Sequence, residues 1–70
     1  MTHTSSLIMK DLGVSQSTSD SIAGRLDLPE PRITALLREL LSLGYVEESP
    51  LLIDGKPALT VYRLTSKAFP

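Results

Sequence analysis

Apolar residues recur at helical spacing through the first two thirds of the chain and at alternate positions in the last third. Leu7, Ile8 and Leu12 predict a short helix from about Ser6 to Leu12, with Gly13 as its C-terminal stop. Ile22, Ala23 and Leu26 predict a second helix ending near Leu26. Either Ser17 with Asp20 or Thr18 with Ser21 supplies its N-cap oxygen. Gly24 falls inside it and costs roughly 0.5–1 kcal/mol relative to alanine, so it marks either close packing against a neighbour or a tolerated defect. In "LDLPEPRITALLREL" and the residues after it, Ile33, Leu37, Leu40 and Gly44 recur at spacings of four, three and four. They predict a third helix from about Pro31 to Leu43, its stripe widened by Leu36, Leu41 and Leu43.

After Gly44 the period changes to that of strands. "YVEES" is one strand, Asp54-Gly55 a hairpin turn, and "ALTVYRLT" the returning strand. Ala58, Thr60, Tyr62 and Leu64 share one face, with Leu59, Val61 and Arg63 on the other. Pro50 and Pro57 lack an amide donor and confine these segments to edges or turns. The element order is thus three helices followed by a hairpin, an α+β domain covering residues 1–70, with an irregular tail at about 1–5 and the hairpin at about 45–65.

Composition narrows the functional classes. Seventy residues, 41% of them hydrophobic, enclose one core, which at this size supplies only about 3–5 kcal/mol of stability. The absence of cysteine removes disulfides and thiol chemistry. The run Leu7-Ile8-Met9 is too short for a signal peptide core or a membrane span, so the expected location is the cytoplasm. Seven Lys and Arg stand against eight Asp and Glu, without the basic excess of a strong nucleic-acid binder. His3 is the sole histidine and no phosphate-binding glycine loop is present; neither an enzyme nor a cofactor or small-molecule site is expected.

Ile22-Ala23-x-x-Leu26, a four-residue turn, Ile33…Leu37…Leu40…Gly44-Tyr45-Val46, and Tyr62-Arg63-Leu64-Thr65 in the returning strand together resemble the winged helix-turn-helix superfamily over nearly the whole chain. The run Gly44-Tyr45-Val46-Glu47-Glu48-Ser49-Pro50-Leu51 resembles the start of the wing in the FaeA/PapI-like group of fimbrial operon regulators, which includes PefI-like regulators of virulence plasmids. The resemblance implies a transcription regulator of fimbrial phase variation that binds double-stranded operator DNA with the leucine-responsive regulatory protein. The family's contacts come from the third helix, which maps them onto Pro31, Arg32, Thr34, Ala35 and Arg38; Pro31 and Ala35 depart from the polar or aromatic side chains of the group. The wing "LLIDGKPAL" is longer and less basic than the family's.

On a helical wheel the face opposite the core stripe carries Pro31, Ala35, Arg38 and Ser42, flanked by Arg32 and Thr34. Arg32 and Arg38 can reach phosphate or a guanine edge, Thr34 a phosphate or thymine methyl, and Lys56 at the wing turn a neighbouring phosphate. The DNA-binding residues expected are therefore Arg32, Thr34, Ala35, Arg38 and Lys56. Three cations imply a salt slope of around −3 and modest affinity. Pro29 and Pro31 remove amide donors from the helix start and Glu30 adds a negative charge there, though both residue types are also ordinary helix starters. Arg25 and Arg32 have surface ion pairs with Asp20, Asp27 or Glu30 as their alternative. Modest affinity leaves room for a partner protein, and Leu51, Leu52 and Ile53 are its candidate surface; the alternative is that they cap the core beneath the wing. The expected state is a monomeric DNA-binding regulator, the other reading being a winged helix that serves only as a protein-interaction module.

Overall fold

The first helix, α1, runs His3–Val14 in a computed structural model that describes residues 3–69. It starts earlier than the Leu7 spacing indicates, because Ser5 opens the buried stripe that continues through Ile8 and Leu12. A small polar residue at a core-facing position hides that start. The expected tail at residues 1–5 is therefore replaced by helix from His3 onward, while Met1 and Thr2 lie outside the described residues. Gly13 also belongs to α1 rather than stopping it, and lies against Leu64 of the returning strand.

The second helix, α2, spans Ser19–Leu26. Thr18 is its N-cap and accepts a hydrogen bond from the Ser21 amide at 3.2 Å, which settles the two capping alternatives. Ile22 and Ala23 are buried, whereas Gly24 is exposed with open space where a Cβ would stand, so it is the tolerated defect and not a packing point. Asp27 ends α2 in the left-handed conformation.

The third helix, α3, spans Glu30–Leu43 with Pro29 as N-cap and Pro31 in its first turn. Ile33, Leu37 and Leu40 are fully buried, as the four-three spacing requires. Gly44 closes it at φ 82°, donating its amide to Leu40 and Leu41 carbonyls, while Tyr45 donates to Leu40 at 3.0 Å.

Strands β1 (Val46–Ile53) and β2 (Lys56–Leu64) then form an antiparallel two-stranded hairpin. Asp54 and Gly55, at φ 53° and 77°, make the two-residue turn whose positive φ values match the twist of the flanking strands. Pro50 and Pro57 lie within the strands, which a two-stranded sheet tolerates because each strand is itself an edge; the register shifts between Leu51 and Leu52. One hydrophobic cluster joins Ile8, Leu12, Ile22, Ala23, Ile33, Leu37, Leu40, Val46 and Tyr62. The hairpin's base enters it and its outer part, residues 50–60, stands exposed. A 3₁₀ turn, Ser66–Ala68, brings the chain back to the end of α3. Among the described residues no helix is long and apolar enough to cross a membrane.

Candidate nucleic-acid interface

The face of α3 opposite its buried stripe is where the helix can meet a partner. Pro31, Arg32, Ala35, Arg38 and Ser42 are all exposed there, and Thr34 is half-buried at its edge. The structure thus brings Arg32, Thr34, Ala35 and Arg38 onto one helix, whereas Lys56 stands apart at the tip of the wing, directly opposite Ile53.

The start of α3 is a poor anion anchor. Pro29 and Pro31 have no N–H, and the Arg32 and Ile33 amides both bond to the Pro29 carbonyl, at 3.1 and 3.2 Å. Of the first-turn amides this leaves Glu30's, beside that residue's own carboxylate. A cleft of about 590 Å³ separates the first turns of α2 and α3 from the wing, lined by Thr18, Asp20, Glu30, Thr34, Thr60 and Tyr62 among others. Sequence spacing did not reveal that Asp20 and Glu30 share one wall; each reads alone as an ordinary first-turn acid, and only the packing of α2 on α3 joins them. The charged residues that line the cleft, Asp20 and Glu30, are both carboxylates, whereas the exposed ridge of α3 carries Arg32 and Arg38.

Ion pairing divides the cations into two groups. Arg25 donates from Nε and Nη2 to the two carboxylate oxygens of Asp11 at 2.8 and 2.7 Å, and from Nη2 to Ser17 Oγ at 2.6 Å. The hydrogen bond to Asp11 raises the Arg25 pKa above its ordinary value. Its partner lies on α1, not among Asp20, Asp27 and Glu30. Arg63 pairs with Glu47 across the hairpin. Lys67 donates to the Leu43 carbonyl at 2.7 Å and sits 5.0 Å from the centre of the Tyr45 ring, while Thr65 donates to the Gly44 carbonyl at 2.6 Å. These last contacts clasp the C-terminal end of α3. Among the described residues Lys10, Arg32, Arg38 and Lys56 enter no ion pair; Lys10 lies on α1, while Arg32 and Arg38 on α3 and Lys56 on the wing are the cations that these two elements offer to phosphates.

Tyr62 links the wing to the helices. Its backbone exchanges two hydrogen bonds with Ser17, at 3.0 and 2.7 Å, and its side chain is nearly buried. Burial raises its pKa, Glu48 raises it further, and Arg38 opposes both. Arg38 is therefore close enough to the wing for its charge to be felt there. Leu51, Leu52 and Ile53 do not cap the core beneath the wing: they are 43, 55 and 54% exposed, because the hairpin projects past the helices instead of folding over them.

Three helices and an antiparallel hairpin in this arrangement form a winged helix. Solved structures with the same fold include the adhesin competence repressor of Streptococcus pyogenes, at TM-score 0.90 and 20% identity over 100% of this chain and 51% of its own. A cysteine-to-serine mutant of ZitR from Lactococcus lactis has TM-score 0.89 and 26% identity over 100% of this chain and 47% of its own. A third, described as a possible transcriptional regulator from Methanosarcina mazei Go1, has TM-score 0.81 and 18% identity over 97% and 59%. This chain therefore spans about half the length of the proteins it resembles. No protein-family model matches it, and no curated protein matches it.

Proposed function

We propose that this chain is a DNA-binding unit of a transcription regulator, with α3 in the major groove and the wing over the adjacent backbone. The observation that carries the reading is the ridge of α3, where Arg32 and Arg38 are exposed without a carboxylate partner among the described residues, on a fold shared with a repressor. Arg38 contacts a guanine edge or phosphate, Arg32 a phosphate, Thr34 a phosphate or thymine methyl, and Ala35 leaves room for a base; Lys56 adds a contact from the wing. The acidic cleft and the proline-blocked helix start keep intrinsic affinity modest. A cytoplasmic location accompanies this reading. The narrower assignment, control of a fimbrial operon together with the leucine-responsive regulatory protein, is supported by the Gly44 to Leu51 run and by the shortage of cations.

Fluorescence anisotropy on candidate promoter duplexes across a salt series tests the proposal, with and without the leucine-responsive regulatory protein. The chain alone should show a slope of log affinity on log salt of around −3. Arg38→Ala should weaken binding by about 1–3 kcal/mol if Arg38 reads a base. Tight binding with a much steeper slope by the chain alone overturns the partner-assisted part, and no binding under any condition overturns the DNA reading. Exposed Leu51, Leu52 and Ile53 favour a second reading, an interaction module without DNA contact. There, polar substitution of Leu52 and Ile53 abolishes partner binding and Arg38→Ala is silent.

A further inference from the structure

We propose that the cleft between the wing and the first turns of α2 and α3 is a binding site for a small organic cation, a protonated amine carried on an apolar body. No local sequence pattern announces such a site, because the cleft exists only where the hairpin stands across from two helix starts. Its volume of about 590 Å³ falls within the range of roughly 300–1,000 Å³ usual for ligand sites. The site stands on the cleft itself, whether or not α3 meets DNA.

The charge of the ligand follows from the helix side. Asp20 and Glu30 line the cleft, and neither carboxylate has a hydrogen bond or ion pair among the described residues. No described lysine, arginine or histidine lines it; Arg38, whose charge is felt at Tyr62, is not part of the wall. Among the described residues no group of three or more histidines, cysteines or carboxylates is placed to hold a metal ion, so an ammonium is the cation these two acids suit. The body of the ligand follows from the wing side, where Pro50, Pro57, Ala58 and Leu59 line the cleft and an apolar group leaves water.

Tyr62 adds a fixed polar point between the two sides. Its ring packs in the core cluster and the residue is only 9% exposed. Its hydroxyl has no hydrogen-bond partner among the described residues, and no fully buried side-chain oxygen among them lacks one. The hydroxyl is therefore the end of Tyr62 that opens onto the cleft the residue lines. Polar groups on nearly buried side chains are ordinarily hydrogen-bonded, and an ammonium N–H supplies the donor this oxygen lacks. Asp20 and Glu30 are exposed, so each strengthens binding by at most about five-fold and affinity for a small amine is modest.

Titrations followed by amide chemical shifts test this with three probes that share a phenyl ring on a short chain: phenethylamine as the cation, 2-phenylethanol as the neutral form and 3-phenylpropionate as the anion. At neutral pH and low salt phenethylamine should bind with a Kd on the order of millimolar, shifting the amides of Thr18, Thr34, Thr60 and Tyr62. It should bind at least about five-fold more tightly than the alcohol, and the anion more weakly than either. Asp20→Asn and Glu30→Gln should each weaken the amine by about two- to five-fold and leave the alcohol unchanged. Tyr62→Phe, which keeps the ring in the core, should also weaken the amine. Equal affinity for the three probes, preference for the anion, or shifts confined to residues outside the cleft overturns the proposal. So does an amine affinity unchanged in the Asp20→Asn, Glu30→Gln double variant or in Tyr62→Phe, or no shift with phenethylamine at about 20 mM, well above the affinity a ligand of this size reaches.

Discussion

Tyr62 is the residue whose ionisation reports most directly on how the wing meets α3. Its folded pKa is raised above the ordinary 10.0 by burial first and by the Glu48 carboxylate second, with Arg38 pulling the other way. A raised folded pKa means that the neutral phenol's contribution to stability is fully present below about pH 10 and is lost as pH rises through the folded value. Thermal melts should show a stability decline above about pH 10, and Tyr62→Phe should flatten that limb. Arg38→Ala removes the opposing charge, so ultraviolet titration of the phenolate should find the Tyr62 pKa higher still. An unchanged value would mean that Arg38 points away from the wing.

At the level of elements, two glycines of similar appearance in the sequence have opposite roles. Gly24 lies in α2 with nothing outside its own stretch of helix within 4 Å of where an added methyl would stand, so Gly24→Ala should stabilise by roughly 0.5–1 kcal/mol. Gly44 closes α3 at φ 82°, and a methyl there meets the Lys67 side chain at an ordinary 3.6 Å. The cost of Gly44→Ala is therefore conformational, about 1–2 kcal/mol. Urea midpoints should shift in opposite directions. The stripe of α3 and the Asp54-Gly55 turn were legible because each is a local pattern with a local cause, whereas the cap of α2 was legible only as a choice between Ser17 and Thr18, which the hydrogen bond from the Ser21 amide decides. The start of α1 was not, since buried Ser5 has the chemistry of a surface residue. For Leu51 to Ile53 the sequence left two readings open, an exposed partner surface or a cap on the core, because three apolar residues in a row fit both; the reach of the hairpin beyond the helices decides for exposure. On the candidate interface, the exposed ridge of α3 followed from the helical wheel. The acidic cleft required knowing that two helix starts lie side by side.

For the molecule as a whole, a single small core leaves little reserve. Leu37 is fully buried at its centre, and Leu37→Ala should cost about 2–5 kcal/mol. That matches the total of about 3–5 kcal/mol such a core supplies. Circular dichroism should find the variant largely unfolded at room temperature, and a cooperative melt near the wild-type midpoint would contradict the picture of one shared core. The same economy shows in how the wing is moored. Asp11 on α1 holds Arg25 on α2, Arg25 holds the Ser17 hydroxyl, and Ser17 exchanges two backbone hydrogen bonds with Tyr62. The amide protons of Ser17 and Tyr62 therefore form a paired clock: they share one opening free energy for exchange with deuterated solvent whenever the hairpin lifts, and on the proposed DNA-binding reading a bound duplex should protect both by the same factor.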